Sequence, residues 1–144
     1  MAGPEDARHL RLLQQFGEAW DVGDVDRLMS MLTEDCVYSA SVGPEPGATY
    51  TGKGAVRDGL LTMLAFDAGG ESRAGRVFVA GNLGASEWSY LFRAGSGMEC
   101  EIRGCDIFEF RGELISRKDA FRKSFRGPSR VTDVLNNAKP SDGD

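Results

Sequence analysis

Apolar side chains recur every three or four positions along residues 5–22, at Leu10, Leu13, Phe16, Ala19 and Trp20. That period gathers them on one stripe of a helix. Gly23 ends the stripe, and Asp24 is placed to cap a second helix that runs to about Leu32. A third helical run covers residues 53–66, with Val56, Leu60, Leu61 and Leu64 predicted to face inward. Near residue 74 the period changes from helical to alternating. The runs GRVFVAG, ASEWSYLFRA, MECEIRGCDIFEF and ELISRKDAFRKSF read as four strands joined by Gly-rich or Arg-Gly turns. One earlier strand is predicted at CVYSASV, residues 36–42, and the following GPEPGATYTG reads as an exposed turn. Three helices with one early strand, then four long strands, predict an α+β fold. The helices pack on one face of a curved, mixed but mostly antiparallel sheet, leaving a cone with an open mouth. A ligand pocket fits in such a mouth without a second domain.

Composition narrows the function classes. The chain has 144 residues, one domain of ordinary size, and 41% apolar side chains, enough for a core. We expect the domain over residues 5–126 and a flexible tail over 127–144, whose VTDVL piece is able to dock on the body. A net charge of −5 argues against a nucleic-acid surface and against an acidic membrane surface. The basic tract RKDAFRKSFR reads as a last strand with one wet face rather than an anion site. Cys36, Cys100 and Cys105 match no zinc or thioredoxin spacing, and an odd count suits a reducing compartment. His9 is the single histidine, so a histidine-based metal site or triad is not expected, and no cofactor is called for. The polar start does not read as a signal peptide, and no apolar run approaches the length of a membrane span. A cytoplasmic protein is the expectation.

The candidate chemistry lies in GCDIFEFRGELISRKDAF, residues 104–121. Strict alternation puts Asp106 on one strand face with Phe108 and Phe110. It puts Asp119 on a face with Ile115, Arg117 and Phe121. Both acids are then expected to point into one apolar cavity. An unpaired carboxylate among such groups has its charged form disfavoured, and two of them facing one cavity make a proton-transfer arrangement. The plain alternatives are an Asp106 tied to strand backbone or to an arginine, and an Asp119 bridged to Arg117 or Lys118 at a wet strand end. Trp88, Tyr90 and Phe92 share a face as core or pocket lining, with Tyr90 a proton-donor candidate. Tyr38 is a pocket candidate, although a strand tyrosine is often a core residue with a satisfied hydroxyl. Phe16 and Trp20 are helix-face core or pocket floor, and Phe108 and Phe121 are expected in the lining. Arg117 is placed to bind a carboxylate or enolate oxygen, or simply to pair with an acid. The three cysteines read as structural.

Taken together, FGEAWDVGDVDRLMSMLTEDCVY, TGKGAVRDGL and GCDIFEFRGELISRKDAF resemble the SnoaL-like, or NTF2-like, superfamily over roughly residues 8–125. That group includes ketosteroid isomerases, polyketide cyclases, limonene-type epoxide hydrolases and proteins without catalysis. In the isomerases a protonated Asp before an x-F-x-F run donates to the substrate oxyanion, and Asp106 of CDIFEF matches it. Their tyrosine donor falls on Phe16 and their catalytic Asp base on Ala40. In the epoxide hydrolases an Asp on the last strand activates water, and Asp119 of SRKDAF resembles it. Tyr38 resembles their water-holding tyrosine, the partnering Asn falls on Ala40, and their proton-supplying Arg-x-Asp falls near Trp88 and Tyr90. The resemblance implies a cofactor-free acid–base enzyme acting on a hydrophobic, oxygen-bearing small molecule, cyclase or isomerase in type. Epoxide hydrolysis and ligand binding without catalysis are the alternatives. In the leading version Asp119 is the base and Asp106 the donor, aided by Tyr90. Apolar Cys105 and Ile107 on the outward strand face further imply a homodimer.

Overall fold

The computed structural model describes residues 3–93, 97 and 99–124. Helix α1 spans Pro4–Asp21. Proline in its first turn has no N–H to leave unpaired, and Glu5 and Asp6 suit the positive end of the helix dipole. Gly23 takes a left-handed φ of 68° that breaks the chain direction. The Asp24 carboxylate then accepts from the Arg27 N–H at 3.1 Å and starts α2, Val25–Ser30. Strand β1 covers Leu32–Ser39 and β2 covers Thr49–Thr51. Helix α3 spans Lys53–Phe66, and β3 to β6 follow as Glu71–Ala80, Leu83–Arg93, Glu99–Arg111 and Leu114–Lys123.

The six strands form one sheet in the order β2-β1-β6-β5-β4-β3. Every neighbouring pair is antiparallel except β1 with β6, which is parallel. The three helices cover the inner face. Leu13, Phe16 and Ala19 of α1, Leu28 of α2 and Val56, Leu60 and Met63 of α3 pack on Cys36, Tyr38, Phe108, Phe110 and Ile115 of the strands. This is the expected α+β roll. His9 locks α1 to the far end of the sheet. It is 2% exposed and stacks on Phe110 at 4.1 Å. Its two ring nitrogens each lie 2.8 Å from a carbonyl oxygen, those of Gly81 and Gly112 in the β3–β4 and β5–β6 turns.

Several boundaries differ from the sequence reading. The early strand begins at Leu32 rather than Cys36 and ends at Ser39, so α2 stops at Ser30. GPEPGATYTG was expected to be turn throughout, but its end pairs with β1 as β2, with Tyr50 opposite Tyr38. The cause is tertiary: Gly59 brings α3 so near that a Cβ there would lie 2.5 Å from the Tyr50 ring. Leu61 is 45% exposed, because Gly59 and Met63 share the inward arc with Val56 and Leu60. The end of the predicted domain at residue 126 and the tail over 127–144 lie outside the described residues.

Candidate active site

The hairpin of β5 and β6 departs from strict alternation at one residue. Glu109 pairs with Arg117, whereas Phe110 pairs with Ile115, so Ser116 is the extra residue of a β-bulge. Its hydroxyl donates to the Glu109 carbonyl at 3.2 Å. Beyond the bulge the inward positions of β6 are therefore Lys118, Ala120 and Arg122, not Arg117, Asp119 and Phe121. Ile115 stays buried while Arg117 turns outward. The expectation that Asp106 and Asp119 share a cavity is corrected on this ground. Asp119 lies on the outer face opposite Ile107, with its carboxylate 4.0 Å from the Arg117 guanidinium. Phe121 is on the same outer face and 53% exposed. Arg117, Asp119 and Phe121 thus lie away from the inner face that carries Asp106.

The inner face and the helices enclose a cavity of about 530 Å³. Phe16, Trp20, Tyr38, Trp88, Tyr90, Asp106 and Phe108 all line it, so these seven predicted residues do come together. Phe16 meets Phe108 edge-on at 5.7 Å, and the Trp20 indole N–H donates to the Tyr90 hydroxyl at 2.8 Å. Trp88 can lie flat along the wall because Gly104 stands opposite it. A Cβ at Gly104 would sit 2.3 Å from the indole.

Asp106 is buried but not unpaired. One carboxylate oxygen lies 3.3 Å from Lys118 Nζ, and both side chains are at most 10% exposed. The other oxygen has no hydrogen-bond partner among the described residues. The Lys118 ammonium also stands 4.9 Å from the Trp20 ring centre and 4.6 Å from that of Tyr38. Farther along β6 a second buried pair joins Arg122 to Asp67, the residue that closes α3. One guanidinium nitrogen donates to both Asp67 oxygens at 3.0 and 2.8 Å, while Nε donates to Ser41 at 2.9 Å. Arg122 Nη1 is buried without a partner among the described residues. The guanidinium stacks 5.2 Å from the Trp88 ring centre.

Burial pushes the Tyr38 phenol far above its ordinary range, and the nearby Asp106 charge adds to that. Burial also raises Tyr90, although the hydrogen bond from Trp20 opposes it. Both hydroxyls therefore stay protonated through neutral pH and are able to donate. Among the described residues no cluster of three or more His, Cys, Asp or Glu is arranged to hold a metal, and no helix is long and apolar enough to cross a membrane.

Sequence reasoning missed Lys118, Arg122 and Asp67. The spacing of Lys118, Ala120 and Arg122 was visible, but the bulge that selects this set over its alternate was not. Nothing along the chain pairs Asp67 with a residue of the last strand.

The model of the SnoaL-like domain matches residues 13–118. None of the curated proteins matches significantly. Among solved structures, an NTF2-like protein of unknown function from Mesorhizobium loti is 20% identical with a TM-score of 0.69, over 86% of this chain and 98% of that one. A candidate ketosteroid isomerase from Kribbella flavida is 16% identical with a TM-score of 0.66, over 96% and 94%. An LEH-like epoxide hydrolase from M. tuberculosis is 21% identical with a TM-score of 0.62, over 83% and 86%. These likenesses establish a shared fold. With the family model covering most of its length, and a roll of the same architecture built around an inner cavity, the chain belongs to the SnoaL-like domain family.

Proposed function

We propose that the cavity binds a hydrophobic, oxygen-bearing small molecule and performs cofactor-free acid–base chemistry on it, of the polyketide cyclase or isomerase type. The observation that carries this reading is the state of Asp106: buried on the cavity wall, one oxygen held by Lys118 and the other without a partner. Asp106 takes the place of the base first assigned to Asp119. It removes a proton from the carbon beside a substrate carbonyl, and the electron pair moves to the carbonyl oxygen. The Lys118 ammonium and the Tyr90 hydroxyl stabilise the resulting enolate, which is then reprotonated or attacks a second carbonyl. The rings of Phe16, Trp20, Trp88 and Phe108 hold the apolar body of the substrate. A cytoplasmic homodimer completes the reading. The compartment rests on the three cysteines of the sequence, and the dimer on the apolar outer face of the sheet.

Deuterium uptake at the position beside the carbonyl, followed by NMR on a panel of aromatic ketones, tests the chemistry. Asp106→Asn is expected to abolish uptake, since an amide cannot accept the proton. Lys118→Met is expected to slow it by about a hundredfold or more. Asp119→Asn should leave it intact. Full activity in Asp106→Asn would sink the mechanism, and an absence of uptake with retained binding would leave a binding protein. Epoxide hydrolysis is the weaker reading, because the carried-over water-activating position, Asp119, lies outside the cavity. Oxygen-18 from water entering the product would favour it.

A further inference from the structure

The charges buried in the cavity wall cancel. Asp106 faces Lys118 at 3.3 Å, and Asp67 faces Arg122 at 2.8 Å. Lys118 and Arg122 flank Ala120 on the inner face of β6, and Asp106 stands opposite Ala120, so Lys118 leans along the strand toward Arg122. The two pairs are about two residues, roughly 7 Å, apart along the strand. Phe108, opposite Lys118, and Trp88, beside Arg122, border the pairs with apolar wall. Each pair keeps one polar atom without a partner among the described residues: an oxygen of Asp106, which accepts, and Nη1 of Arg122, which donates.

We propose that the Asp67–Arg122 pair determines specificity, receiving a second oxygen function of an uncharged ligand whose first oxygen lies at Asp106–Lys118. This rests on the reading of the cavity as a ligand site. The ligand class is an apolar molecule with two oxygen functions close enough to reach both pairs: a diketone, a hydroxy ketone or a keto ester. A carbonyl or hydroxyl oxygen accepts from Arg122 Nη1 without disturbing Asp67. A carboxylate finds both buried cations already neutralised, and it would leave one negative charge uncompensated among aromatic rings. Exposed Glu18 and Asp21 at the mouth further oppose an anion, while Arg73 there is 3.9 Å from Glu71. Arg122 is therefore a selector for neutral oxygen and not an anion anchor.

The test uses a matched pair of probes, methyl acetylnaphthoate and the acetylnaphthoate anion, titrated calorimetrically at neutral pH. The ester should bind about tenfold or more tightly than the anion. Asp67→Asn and Asp106→Asn each leave one buried cation without its counter-charge. Each is expected to shift the ratio toward the anion by about tenfold or more. Equal or tighter binding of the anion by the unaltered protein overturns the proposal, as does binding of neither probe. So does a ratio unmoved in every variant that folds. If neither variant folds, the ratio in the unaltered protein decides alone. Ester preference without deuterium uptake would defeat the proposed chemistry and leave this inference standing.

Discussion

Lys118 lies between two aromatic faces and against a carboxylate, so its charge is tied to the site from three sides. Removing one member of a buried pair leaves the other charged and alone. Lys118→Met or Asp106→Asn should each cost about 3–5 kcal/mol, and the double variant appreciably less than the sum. Urea unfolding of the three variants checks this. The tyrosines give a pH prediction. Tyr38 has its folded pKa raised from an ordinary 10.0, chiefly by burial. Above that value the unfolded chain releases a proton that the folded chain retains. The stability is therefore fully present below about pH 10 and is lost as pH rises further. Tyr38→Phe should flatten this alkaline fall in a series of unfolding measurements at rising pH. Individual residues were unevenly legible in the sequence. Asp106, Phe108 and Tyr38 declare themselves by alternation with apolar neighbours. Asp119 misleads, because one inserted serine changes which side of the strand faces inward, and a bulge has no pattern of its own in a single sequence.

At the scale of elements, the helices were readable from their periods and glycine stops, and α3 runs over residues 53–66 as expected. The short β2 was not readable, since three residues carry too little pattern and their pairing depends on how closely α3 approaches. The role of His9 was equally invisible, because its contacts are to turns far along the chain. It joins α1 to both hairpins at once, and Gly81 and Gly112 meet it in left-handed turns with φ of 61° and 62°. His9→Ala removes two buried polar contacts and a stacked ring. A loss of about 2–4 kcal/mol is expected in chemical unfolding. Hydrogen exchange should speed up selectively in the two turns, and uniform exchange would contradict the pinning role.

Across the whole molecule, the outer face of the sheet carries Phe78 at 59% exposure, Ile107 at 40% and Phe121 at 53%. Phe78 and Ile107 both stand opposite Ala85, so a strip of apolar surface crosses the strands. We expect two copies to bury it about a two-fold axis. Ile107→Arg should then convert a dimer into a monomer in light scattering, and a monomeric unaltered protein would refute the arrangement. The parallel pairing of β1 with β6 sets a different consequence, one of order in time. It brings residues 32–39 against residues 115–119 and puts Tyr38 beside Lys118. Contacts so distant along the chain carry the largest loop-closure cost and tend to form late in folding, after the local hairpins. The cavity is closed by this contact, so we expect it to be absent from the folding transition state. A ligand should then slow the unfolding limb of a chevron plot and leave the folding limb where it was.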